Sequence, residues 1–240
     1  MVVVSPHFDD AAFSLGGSLA QWDRAVVVTA HGGPPASEAA LSDWDAECGF
    51  ASGREAHAVR MEEDRASCAA LDARAWPLPI PDGPYLVVDV DLDEVTRCMA
   101  DLAPQAAVHL PLAVAQPDHA RVRDAALSGL LERPDLKVYF YADLPYAAAT
   151  PGWSADLGEG PYAEPLASAL AAVEARVGPL CQGVSRRVEG NAWVLKRRSV
   201  LAHASQLSLV GGMDEVAAVG ALLAPRGPLR IEREWSPVRT

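Results

Sequence analysis

The chain has 240 residues, half of them hydrophobic, and 32 acidic against 20 basic side chains give a net charge of -12. That length suffices for one large domain with a sizeable core, and the acidic balance argues against nucleic acid or an anionic membrane as partner, because both attract basic surfaces. Cys48, Cys68, Cys98 and Cys181 show no C-x-x-C spacing, which argues for buried thiols in a reducing cytoplasm and against a disulfide framework or a Cys-rich zinc site.

Val2 to Val4 is a continuous β-branched run, the pattern of a strand buried on both faces. It is too short, and lacks the preceding basic residues, for a signal peptide or a membrane span. A helix follows over 13–22 and a second buried strand over 24–29. Residues 36–58 read as a loop with short helical pieces, long enough to suggest function. A helix over 59–71, a strand over 75–79 and the turn Pro81-Asp82-Gly83-Pro84 come next. Then come a helix over 91–102, a buried strand over 106–112, a helix over 118–131 and a strand over 137–141. This alternation predicts an α/β fold with a mostly parallel sheet. After Pro151 the pattern changes: helices are expected over 161–177, 193–209 and 214–224, and strands over 184–189 and 229–235. The expectation is one domain, a core over 1–150 with a C-terminal cap segment over 151–240 that closes the site.

In parallel sheets, ligands bind where loops converge at the carboxyl ends of the strands. The loop after the first strand carries His7, Asp9 and Asp10, and the loop after the 106–112 strand reaches Gln116-Pro117-Asp118-His119. On a shared rim, His7, Asp10 and His119 can converge as two imidazoles and a carboxylate, the ligand set of a catalytic zinc with one open position. Of two adjacent aspartates, one can bind metal while the other takes a proton from the attacking water. Taken singly, either cluster is equally a loop or a helix cap; it is their pairing that points to metal. Pro6 and Gly16-Gly17 are read as letting the backbone turn sharply and approach closely.

These motifs resemble the LmbE-like (PIG-L) zinc-dependent N-deacetylases along nearly the whole chain. Pro6-His7-Phe8-Asp9-Asp10 with Gly16-Gly17 looks like the family's P-H-x-D-D…G-G motif, and Arg60 to Glu63 like its R-x-x-E helix. Leu78 to Gly83 looks like its L-x-x-P-D-G turn, and Pro117-Asp118-His119 like its second metal motif. Tyr139 to Tyr146 is similar to the Y-E-D-x-P-Y segment of bacterial members; Lys196, Ser205 and Gln206 resemble a K…Y-x-S-Q helix, and Glu234-Trp235 a terminal E-x-F-W. The resemblance implies a Rossmann-like fold with helices on both faces. It implies one zinc ion held by His7, Asp10 and His119, Asp9 as general base, and Arg60 and Asp82 as binders of substrate hydroxyls. An ion pair on the helix for Arg60 and a turn-forming role for Asp82 remain open beside those roles.

The chain departs from the family twice. Gln116 stands where members usually carry a His, and it can donate a hydrogen bond but neither a proton nor charge. Loss of such charged help costs on the order of 3 kcal/mol in the transition state. His203 stands where the S-Q helix usually carries Tyr; it either reaches the site as the missing acid or packs on a helix. Of the other histidines, His31 is placed near the pocket rim, His109 in a strand and His57 on the surface, while Trp44, Trp153, Tyr141 and Tyr146 are candidate pocket walls. The expectation is a hydrolase that removes an N-acyl group, most simply acetyl, from a small-molecule substrate such as an amino sugar or natural-product intermediate. The alternatives are an amidase acting on thiol conjugates and a homologue that keeps the metal pocket for binding after losing hydrolysis. Oligomeric state stays open.

Overall fold

The computed structural model describes residues 1–35, 41–85, 92–154, 160–210 and 215–238. The first half runs β1 (Val2–Ser5), α1 (Asp10–Leu19), β2 (Val26–Thr29), α2 (Asp43–Glu47), α3 (Gly53–Ala70) and β3 (Arg74–Pro77). It continues with α4 (Asp93–Ala100), β4 (Ala107–Pro111), α5 (Pro117–Leu130) and β5 (Lys137–Tyr141). The remainder is α6 (Leu166–Val177), β6 (Leu180–Arg187), α7 (Gly190–Ala202), α8 (Ala204–Val210), α9 (Glu215–Leu222) and β7 (Ile231–Pro237).

Seven strands form one sheet in the order β3-β2-β1-β4-β5-β7-β6. The first five are parallel, and β7 pairs antiparallel with both β5 and β6. The apolar run of β1 is central: Val2 and Val4 join one core cluster and Val3 the other, as alternation across a sheet requires. The C-terminal part therefore adds two strands to the same sheet, and α7 packs on α1 and α3. No helix among the described residues is long and apolar enough to cross a membrane.

Several elements begin elsewhere than the sequence pattern suggests. Helix α3 starts at Gly53, not Val59, because Ser52 caps it: its Oγ accepts from the Glu55 N–H at 3.2 Å, and the Glu55 carboxylate accepts from Ala51 N–H at 2.8 Å. Helix α1 starts at Asp10, directly behind the His7-Asp9 loop. Gly16 and Gly17 thus lie inside a helix and make no turn. A Cβ on Gly16 would stand 2.8 Å from Lys196 Cγ, and one on Gly17 2.5 Å from Val188 Cγ1. They are glycines because α1 packs there without room for a side chain.

Strand order reverses direction between β1 and β4, the switch point where the crevice outside the strand ends opens. The loop after β1 and the first turn of α5 face each other across that crevice.

Candidate metal centre and pocket

His7, Asp10 and His119 each offer a ligand atom, and all three atoms lie within 4.8 Å of one another. Asp10 Oδ2 is 3.4 Å from His7 Nδ1 and 3.4 Å from His119 Nε2. The same oxygen accepts the His7 backbone N–H at 2.8 Å, which fixes the carboxylate against the loop. His119 is fully buried, and its Nε2 has no hydrogen-bond partner. Its Nδ1 bonds Asp143 Oδ1 at 2.8 Å, while Asp143 Oδ2 accepts the N–H groups of Ala113 and Val114 at 2.8 and 3.2 Å. A carboxylate so occupied makes Nδ1 the donor, leaving the Nε2 lone pair facing Asp10. Metal-ligating histidines are oriented in this way, by a carboxylate on the far ring nitrogen, and a buried nitrogen with a lone pair and no partner is what a cation would satisfy. The donor set fits a zinc-like ion.

The surrounding charges favour positive occupancy. Burial alone would lower the His7 pKa, but Asp82, Asp10 and Asp118 hold it well above its ordinary value. His119 is likewise raised against burial, by Asp10 and Asp143. Asp10 is held low despite burial by the two imidazoles. His7 Nε2 lies 3.1 Å from Asp118 Oδ2 and 3.3 Å from Asp82 Oδ1. Burial would raise Asp82, yet His7 draws it down to about 2.

Asp9 occupies the N-cap position of α1 but makes no side-chain capping bond. Its carboxylate is therefore not consumed by the helix and lines the pocket. Burial, with the adjacent Asp10, raises it to about 7. Asp118 is held at both oxygens: Oδ1 accepts the His119 N–H at 3.0 Å while Oδ2 faces His7. Asp82 Oδ1 accepts the Gly83 N–H at 2.6 Å within its turn.

The pocket has a volume of about 440 Å³. Gln116, at the N-cap of α5 and free of any capping bond, lines it beside Asp9, as do Arg60, Asp82 and Gln206. His203 does not. It is fully buried beside Phe13, with ring centroids 6.2 Å apart, neither ring nitrogen has a partner, and burial lowers its pKa to about 4. The structure thus places His203 against Phe13 and not in the pocket lining. His57, expected on the surface, lines the pocket instead, its Nε2 3.0 Å from the Gly32 carbonyl. His31 stacks on His7 at 5.3 Å. Trp44 and Tyr146 line the pocket, whereas Tyr141 and Trp153 belong to the core; the Tyr141 hydroxyl donates to the Val4 carbonyl at 2.9 Å. Sequence reasoning gave no role to three contributors. Asp143 lies in the Tyr139–Tyr146 segment that matches a family motif, just past β5, while Asp45 and Tyr85 meet across forty positions of chain and carry no local signal.

The PIG-L family model, described as GlcNAc-PI de-N-acetylase, matches residues 2–129, more than half of the chain. Among solved structures, the A40926 pseudoaglycone deacetylase is 29% identical with a TM-score of 0.70, covering 99% of this chain and 96% of that one. A triple mutant of a deacetylase in the teicoplanin biosynthetic pathway is 25% identical with a TM-score of 0.68, covering 100% and 98%. A conserved protein from Thermus thermophilus shares the fold at 20% identity and a TM-score of 0.57, covering 100% and 94%. No curated protein matches.

Proposed function

Since the chain belongs to the PIG-L family of GlcNAc-PI de-N-acetylases, we propose that it is a zinc-dependent N-deacetylase acting on an amino sugar unit of a natural product. The observation that carries this reading is the uncommitted Asp9 carboxylate beside the convergent His7, Asp10 and His119. The substrate class draws on the A40926 pseudoaglycone and teicoplanin-pathway deacetylases, which the chain resembles over its whole length.

His7, Asp10 and His119 would hold the ion, His119 being oriented by Asp143. When bound, zinc would supply Lewis acidity toward the amide carbonyl and lower the pKa of water at the site to about 7. Asp9 takes one proton from the water as its oxygen attacks the acyl carbon. Gln116 offers an amide N–H to the developing oxyanion without adding charge. Tyr146, whose pKa burial pushes up so that it keeps its hydroxyl proton, offers a second neutral donor from the same rim. As the C–N bond breaks, Asp9 returns its proton to the leaving nitrogen, giving a free amine and acetic acid, which loses its proton to solvent as acetate. A single carboxylate thus serves as base and then acid, in a chain with Gln116 at the rim and His203 outside the pocket lining.

The test is amine release from N-acetylated amino sugars, free and glycopeptide-borne, with metal content measured on the same samples. One zinc per chain, release abolished by chelator and restored by zinc, and a loss of at least about a hundredfold on Asp9→Asn are expected. Gln116 alone favours the second reading, a pocket that binds without hydrolysis, and full zinc with no release from either class would establish it.

A further inference from the structure

The pocket lining contains one guanidinium among the described residues, and its charge is already matched. Arg60 Nη2 lies 2.5 Å from Asp45 Oδ1, with both side chains buried. The guanidinium also rests over the Phe50 ring at 5.6 Å, and Nη2 is 3.7 Å from Cys48 Sγ. Asp45 is completely buried and locked from several sides. Its Oδ2 accepts the Tyr85 hydroxyl, and its N–H donates to Ser42 Oγ at 3.1 Å. The Ser42 N–H in turn donates to the Tyr85 oxygen at 3.1 Å. This network ties α2, α3 and the turn after Asp82 into one wall. The other titratable groups among the described lining residues are the carboxylates of Asp9, Asp82 and Asp118, together with histidines 7, 31 and 57.

We propose that Asp45 is a specificity-determining residue: by pairing with Arg60 it leaves the α2–α3 wall electrically neutral, so the pocket selects N-acyl substrates uncharged on that side and rejects those bearing a phosphate or carboxylate there. Arg is the side chain best suited to grip such anions, through its planar fork. Here Nη2 of the guanidinium is paired with a fixed internal carboxylate while Nε has no hydrogen-bond partner among the described residues, so the charge is matched although the fork is not filled, and an incoming anion would have to face that carboxylate. Like charges brought together in a desolvated site are strongly disfavoured. The inference rests on the deacetylase reading for the word substrate, but the neutral wall can be tested without turnover.

Calorimetric titration of the zinc-loaded protein with inorganic phosphate provides that test. Asp45→Asn frees the guanidinium while keeping an acceptor for Tyr85, and it should bind phosphate about tenfold more tightly than the wild type. The neutral pair Asp45→Asn/Arg60→Gln should bind it as the wild type does. An unchanged affinity in folded Asp45→Asn would overturn the proposal. So would a tenfold loss in the double variant, because Arg60 would then be gripping anions in the wild type; this comparison stands even if the single variant fails to fold. In activity, wild-type kcat/KM on N-acetylglucosamine should exceed that on its 6-phosphate by about tenfold or more, and equal or reversed preference refutes the idea. Absence of amine release from both sugars would count against the deacetylase reading while leaving the phosphate comparison intact.

Discussion

At the scale of single residues, the site works by what each carboxylate is prevented from doing. Asp143 receives two backbone N–H groups and the His119 ring, so it cannot swing toward the metal centre and instead fixes the imidazole. Asp143→Asn should weaken zinc binding by about 10–100-fold, as loss of such orienting partners does, read as metal retained after dialysis against graded chelator. Asp64 is different: it is buried in α3 with Cys68 Sγ as its hydrogen-bond donor at 3.8 Å, and burial raises its pKa to about 7. Between about pH 4 and 7 the unfolded chain ionises this group while the folded chain keeps it protonated, so stability falls as pH rises through that window. Asp64→Asn should remove the slope, stabilising the protein by about 2–4 kcal/mol at pH 8 and by little at pH 4. Thermal unfolding across that pH range checks it, and equal shifts at both ends would contradict it. The convergence of His7, Asp10 and His119 was legible in the sequence because each directly follows a buried strand or opens the helix after one. Asp45 and Tyr85 were not, since their contact depends on how α2 and the turn after Asp82 fold against α3.

At the scale of elements, α1 is held from behind by a buried charge pair. Lys196 Nζ is 2.8 Å from Glu232 Oε1, which also accepts the Gly17 N–H at 2.7 Å, while Glu232 Oε2 meets Ser18 and Arg186. All of α1, and hence Asp9 and Asp10 at its start, is referenced to β7 and α7 through this network. The glycines allow it: Gly17→Ala puts a methyl 2.5 Å from Val188 Cγ1 and should cost about 1–3 kcal/mol. Lys196→Met leaves Glu232 buried without its main countercharge and should cost about 3–5 kcal/mol. Denaturant midpoints of the two variants check both figures. Elements with one-dimensional signals were legible: β1 and β2 carry continuous apolar runs, β4 and β5 are apolar apart from His109 and Lys137, and β5 has the expected bounds. The start of α3 was hidden because its first turns open on Gly53 and bear the polar Arg54, Glu55 and pocket-facing His57, which imitate a loop. The break between α7 and α8 falls at His203, where a buried ring interrupts a run that reads as one helix. Glu63 joins across it, its carboxylate accepting the Ser205 N–H and hydroxyl at 2.8 and 2.7 Å.

At the scale of the molecule, the metal centre and the core are separable. The sheet buries apolar clusters on both faces, from Phe13, Leu110 and Phe140 on one side to Val3, Leu15 and Leu19 on the other, and none of these six is a candidate ligand. Folding therefore does not require the ion, unlike small zinc domains whose core is the metal. A cation bound at the metal centre would satisfy the buried His119 Nε2, and binding to the folded chain alone adds stability by mass action. With free zinc a thousandfold above its dissociation constant, that gain is about 4 kcal/mol, or roughly 8–16 °C of melting temperature for a chain of this size. Chelation should lower the melting temperature by that order while leaving the far-ultraviolet circular dichroism at room temperature unchanged. His119→Ala should start from a reduced melting temperature and show no further chelator effect. Collapse of the dichroism on chelation would instead mean that the ligands at the switch point hold the sheet together, against the independence of its two cores.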